Sequence, residues 1–304
     1  MLSRVAENMY WMSRYMERTG IQLRVLNSTY ISDQDGLVKV DWNQIANHFS
    51  LNYPMDNNGG EVLSELIFDG QKDFSILNNV FKARENARSA QDHINRELWQ
   101  SLNDFYHLIK DEYLKGQLAV DPMTVMDQLI KQAMVYDGII HNSMNRGEAF
   151  CFMQLGKLIE RGLQLIDLLK YHLTLDKSDC EKPNEQRWRY LLIALSGYET
   201  YLREQVGNLD PKLVFNQIMN NSNFPYSLDY NWERISVYLK MMKKEEIGLY
   251  HPDLNFISGK ASSYIKYIQI PNDFDGQINY LNTVEKYYVD INRVLNNDYF
   301  GNIY

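Results

Sequence analysis

Residues 1–28 read MLSRVAENMYWMSRYMERTGIQLRVLNS, and the spacing inside this stretch decides the fold class. Leu2, Val5, Met9, Met12, Met16, Leu23 and Leu26 recur at helical steps, which at 3.6 residues per turn stack into one apolar stripe. The stretch is therefore predicted as a helix to about Ser28. Arg4, Glu7, Trp11, Arg14 and Arg18 form a second stripe opposite the methionines, flanked by Tyr10 and Glu17. One helix thus carries an apolar face and a charged, aromatic one.

Downstream, Asp35-Gly36, Pro54 and Asn58-Gly59-Gly60 mark residues 30–60 as a polar connection in which only 42–49 reads as helix. Residues 36–40 are the most strand-like in the chain, so a helical core with a small hairpin in 31–60 is the alternative architecture. After a helix at 61–68, Ile76, Val80, Ala83, Ala87, Ala90, Ile94, Leu98, Leu102 and Phe105 stay in register. They predict one long helix over 74–115, closed by Gly116. Asp121-Pro122 and Asp210-Pro211 each read as an N-cap followed by proline in the first turn, where its missing N–H costs nothing. Further helices are predicted from 122 to 145, 147 to 173 and 183 to 206. All seven prolines can sit at helix borders, and the expected fold is all-α, a single large helical bundle over 1–304.

A composition 45% hydrophobic, 23% charged and 13% aromatic is that of a folded globular chain. The formal charge of −8 argues against general binding to nucleic acid, which needs a concentrated positive surface. Charged residues from Arg4 onward interrupt any signal-peptide core, and no window has the roughly 18 apolar residues of a membrane span. Two cysteines, Cys151 and Cys180, are too few for a disulfide framework. A cytoplasmic protein is expected.

One shift of the chain superposes Glu17-Arg18 on Glu160-Arg161 and brings Met12 over Leu155, Met16 over Ile159 and Leu26 over Leu169. At a slightly larger shift, Leu66-Ile67 and Ser75-Ile76 lie over Ile218-Met219 and Ser227-Leu228. An internally duplicated helical unit is expected, with repeats at 1–115 and 147–250. Its two Glu-Arg pairs would then face each other in the bundle.

Adjacent helical residues diverge by about 100°, so Glu17 and Arg18 cannot pair with each other and each needs a partner elsewhere. Arg14 and the ARENAR segment at 83–88, with Arg84 and Arg88 on one face and Glu85 on another, are the expected suppliers. The resulting network either fixes helix register or lines a cavity for an anionic or zwitterionic ligand. The six histidines include neither HExxH nor a Glu-x-x-His pair, so no metal site is expected, and Asp104/His107 and Asp137/His141 read as surface pairs. With no Walker loop, GxGxxG or GxSxG, no cofactor is expected.

SRVAENMYWMSRYMER at 3–18, ARENAR at 83–88 and GEAFCFMQLGKLIER at 147–161, with Glu148 near its head, together resemble the bacterial alpha-E domain family. NFPYSLDYNWERI at 223–235 is similar to the family's later Pro-Arg-Ser segment, with Tyr226 where arginine is usual. The resemblance covers essentially the whole chain and implies one all-helical domain. It also implies association with circularly permuted ATP-grasp ligases and transglutaminase-like proteins in peptide or amide-bond synthesis and modification. The chain is accordingly expected to be an accessory, scaffold or substrate-binding component of such a system. The alternative is an enzyme of the same pathway, with Glu17 or Glu160 as general acid or base and Arg14, Arg18 or Arg161 holding an anionic group.

Overall fold

The apolar stripe of the first helix sets the axis of the structure. In the computed structural model, which describes residues 1–49, 58–178, 184–205, 209–244 and 252–301, this helix is α1, Ser3–Asp35. It outruns Ser28 and stops where Gly36 adopts a left-handed φ of 64°, a conformation that a side chain would strain. Met9, Met12, Met16, Leu23 and Leu26 are all buried, whereas Leu2 stays in solvent, so the stripe works from Ala6 onward.

Thirteen helices follow among the described residues: α2 (Trp42–His48), α3 (Gly59–Phe68), α4 (Ile76–Ser89), α5 (Arg96–Ile109), α6 (Glu112–Leu118), α7 (Pro122–Ser143), α8 (Glu148–Ser178), α9 (Glu185–Ala194), α10 (Tyr198–Glu204), α11 (Pro211–Asn220), α12 (Leu228–Lys244), α13 (Pro252–Tyr267) and α14 (Phe274–Asp298). The fold is all-α. Among the described residues there is no strand, and the strand-like 36–40 stretch is only the link from the Gly36 stop to the Asp41 cap of α2. Among those residues, too, no helix is long and apolar enough to cross a membrane. Pro54, Cys180, Pro183, Val206 and His251 lie outside the described residues.

Two expectations fail at chain reversals. The long helix over 74–115 is instead α4, a 3-10 turn at Gln91–His93, α5 and α6. Asn95 takes an extended backbone and its side chain accepts from Leu98 N at 2.9 Å, starting a new helix that folds back on α4. Asp111 caps α6 in the same way, and Gly116 lies inside α6 rather than ending anything. The helix expected over 183–206 breaks at Ser196, whose φ is 55°, where Gly197 N–H returns to Leu192 O at 2.8 Å. By contrast Asp121 and Asp210 cap α7 and α11 with proline in the first turn, as read.

α1 and α8 are the central pair and run parallel. Met1 meets Glu148, Arg14 meets Glu160 and Arg161 meets Glu17, a nearly constant offset along the chain. Around them the packing repeats. α4 and α7 lie on α1 as α12 and α14 lie on α8; α5 bridges α4 and α7 as α13 bridges α12 and α14. Ser75 Oγ accepts from Asn78 N, and Ser227 Oγ from Tyr230 N, both at 3.1 Å, so α4 and α12 start alike. The matching contacts include α7 and α14.

Candidate functional site

Glu17 and Arg18 leave α1 in different directions, and each meets its opposite on α8. Arg161 Nε and Nη2 donate to Glu17 Oε1 and Oε2 at 2.6 and 3.1 Å, a two-pronged pair. Arg18 Nε donates to Glu160 Oε1 at 2.7 Å, and Arg14 Nε to Glu160 Oε2 at 2.8 Å. Glu160 is 1% exposed and Arg14 and Arg161 are each 6% exposed, so the charged stripe of α1 is interior at its middle. Four residues expected to need partners find them in one another and in Arg14.

Burial pushes the Glu160 carboxyl up, but the charges of Arg14 and Arg18, with their hydrogen bonds, bring it below the usual glutamate value of 4.5. Burial likewise works against the charge of Arg161, and Glu17, followed by Tyr226, more than restores it. Glu160 is therefore held ionised with both oxygens occupied, a poor state for carrying protons near neutrality. Its folded value lies below its unfolded one, so its contribution to stability is complete above about pH 4.5 and is lost as pH falls through the folded value. Melting curves of wild type and Glu160→Gln should accordingly differ above that pH and converge below it; a constant difference through acid would refute the assignment.

Several contributors were invisible in the sequence. Asn292 of α14 accepts at Oδ1 from Tyr10 Oη at 2.6 Å and from Arg14 Nη1 at 3.1 Å. Burial pushes the Tyr10 phenol up to about 12, so it stays a donor. Gln164 donates to Glu160 Oε1 at 3.3 Å. Arg161 Nη1 donates to Pro225 O at 3.2 Å, and its guanidinium lies 4.3 Å from the centre of the Tyr226 ring. Arg24 donates to the Tyr226 hydroxyl. Tyr226 thus faces two guanidiniums, where an arginine would have been repelled by both. Only the quoted 223–235 segment signalled that this turn mattered; nothing in the sequence singled out Asn292.

ARENAR does not join the network. The buried face of α4 is Ile76, Val80, Ala83 and Ala87, so Arg84, Glu85 and Arg88 are carried to its rim, away from Glu17 and Glu160. There Arg84 donates to Asn103 Oδ1 at 2.9 Å and to Glu85 Oε1 at 3.1 Å, while Arg88 meets Glu85 at 3.5 Å. Glu148, at the start of α8, accepts from the Met1 amino group at 2.8 Å.

The network does, however, hold up an open groove between α1 and α4. Its walls include Arg4, Glu7, Trp11 and Tyr15 from α1 and Phe81, Lys82 and Glu85 from α4. The Arg14 guanidinium lies 4.6 Å from the Trp11 ring centre and that of Arg18 5.8 Å from Tyr15. Trp11 and Tyr15 are themselves 5.7 Å apart, and Lys82 Nζ lies 5.7 Å from the centre of the Tyr15 ring. The buried Glu160 carboxylate fixes both arginines, and the arginines fix an aromatic floor. Phe81, 42% exposed, stands at the lip.

A family model, Alpha-E, described as a predicted alpha-helical domain with a conserved ER motif, matches residues 1–300, which include both Glu-Arg pairs. Uncharacterised proteins of Mycobacterium bovis and Mycobacterium tuberculosis are each 22% identical over 262 residues, 78% of this chain and 29% of theirs. The chain therefore spans less than a third of the length of these relatives. A tRNA/tmRNA (uracil-C(5))-methyltransferase of Citrobacter koseri is 26% identical over 143 residues, 42% of this chain and 38% of that protein. No solved structure matches the chain.

Proposed function

The chain belongs to the Alpha-E family, and from that premise we propose that it is an accessory, substrate-binding or scaffolding component of a cytoplasmic system that makes or modifies peptide and amide bonds. Its partner is a circularly permuted ATP-grasp ligase or a transglutaminase-like protein. The observation that carries this reading is the α1–α4 groove. Two aromatic rings on a rigid helix, with a third at the lip, supply apolar contact at small entropic cost, and Arg4, Lys82, Glu7 and Glu85 supply charges of both signs along a peptide-sized track. The greater length of the mycobacterial relatives supports a region that works joined to other parts. Commitment of both Glu160 oxygens to arginines weighs against Glu160 as a general acid or base. We also read the matching surroundings of α1 and α8 as the trace of a duplicated unit.

The test is a titration of the purified full-length protein with an ATP-grasp ligase from the same organism. A complex at micromolar concentration is expected. Phe81→Asp and Lys82→Gln should each weaken it about tenfold while changing stability by less than about 0.5 kcal/mol, because Phe81 is exposed and the half-buried Lys82 pairs with an exposed Asp73 at 3.0 Å. Absence of any complex, or variants that bind like wild type, would overturn the proposal.

A further inference from the structure

A second site lies where α1 and α8 end. A cavity of about 510 Å³ opens between their C-terminal halves, α2 and α9, within the roughly 300–1,000 Å³ typical of small-molecule sites. It is independent of the groove and shares no lining residue with it. Its body is apolar, formed by Val25, Ile45, Leu168, Leu191 and Ala194. Its polar lining carries a basic cluster, His48, His172 and Arg187 with Lys39 and the Tyr171 hydroxyl, among neutral hydroxyl and amide side chains.

These groups cluster. The His48 and Tyr171 rings are 4.7 Å apart and those of Tyr171 and His172 5.7 Å, and Arg187 acts electrostatically on both Tyr171 and His172. The acids nearby have other duties. Asp41, which also lines the cavity, accepts the Asn43 and Gln44 amides as the cap of α2. Asp176 holds Arg187 at 3.1 Å and Trp188 Nε1 at 2.6 Å, and Asp167 meets His48 at 3.3 Å. Burial, reinforced by Arg187 and His48, pushes the His172 imidazole down to about 3, so it is neutral and offers one N–H. The His172 Nδ1 is buried and meets no hydrogen-bond partner, a cost that a native protein accepts where a ligand or water completes the site.

We propose that this cavity binds a small organic acid, a single carboxylate on an apolar body of roughly eight carbons. The head sits among His48, His172 and Arg187 and the body against Val25, Leu168 and Leu191. A carboxylate meets the Arg187 guanidinium and two neutral imidazoles, on three elements, while the wall residues exclude a strongly polar body. Both halves of the chain contribute, α1 and α2 from one and α8 and α9 from the other.

Isothermal titration of the full-length protein with octanoate and with 1-octanol tests this. Octanoate should bind about tenfold or more tightly than the alcohol, the difference a charge-assisted hydrogen bond supplies. His172→Phe keeps the stacking on Trp188, at 5.5 Å between rings, and should lose most of that preference at unchanged melting temperature. Val25→Phe combined with Ala194→Leu fills the cavity and should abolish binding of both probes without lowering stability. Equal affinity for acid and alcohol, unchanged binding in the filled variant, or no octanoate binding at about 5 mM would each overturn the proposal.

Discussion

Gly156→Ala is expected to cost about 3 kcal/mol or more of folding stability. A β-carbon at Gly156 would stand 2.2 Å from the Tyr10 carbonyl oxygen and 3.0 Å from its carbonyl carbon. Both are backbone of α1, so no side chain can swing aside, and relief requires the two central helices to separate. Separation would lengthen the Arg14–Glu160 bond one turn away, adding the loss of a buried ion pair to the overpacking. Gly138→Ala is the control: it lies within α7 with open space around the added methyl, and should stabilise by about 0.5–1 kcal/mol through the helix preference of alanine. Urea unfolding of the two variants decides the matter. Equal stabilities would show that α1 and α8 do not touch at this crossing.

Glu160→Ala carries the second large effect, a loss of about 3–5 kcal/mol. The substitution leaves the Arg14 guanidinium interior, with Asn292 and the faces of Tyr10 and Trp11 as its partners among the described residues, and removes the carboxylate that Arg18 shares. A desolvated cation without its counter-charge costs far more than the pair contributes when intact, which is why removing one partner is severe where replacing the whole group need not be. Glu160→Gln keeps the shape and one acceptor and should fall between. If Glu160→Ala melted like wild type yet failed to bind a partner, the network would be a binding site rather than a frame for the α1–α4 groove. Loss of stability together with disturbance of Trp11 fluorescence is the expected result.

Much of the fold was legible because its signals are local. Asp121-Pro122 and Asp210-Pro211 open α7 and α11 since a cap spans three residues and needs no tertiary partner. The breaks at 90–95 and 195–197 were hidden for the opposite reason. Val80, Ala83, Leu98 and Leu102 stay in register across the first break because α4 and α5 both face one core, so periodicity cannot distinguish a straight rod from one that folds back. The charged face of α1 is likewise one continuous stripe in the sequence, though Arg14 is interior and Arg4 exposed.

Within the candidate site, the Glu-Arg repeat itself was visible, and so was the reason its two members could not pair within one helix. The assignment of partners was not. Arg14 and ARENAR looked equally able to serve Glu17 and Glu160, and only the parallel packing of α1 on α8, permitted by a glycine at the crossing, chose Arg14 and left Arg84, Glu85 and Arg88 at the rim. Sequence by itself determined the helical class, the caps and the demand for counter-charges, because propensity, periodicity and capping act over a few residues. The tertiary structure decided which charges meet, where the aromatic floor and the α1–α8 cavity form, and that Asn292 and Tyr226 belong to the network. Those contacts join residues far apart in the chain, and their energy depends on burial and geometry that no local pattern encodes.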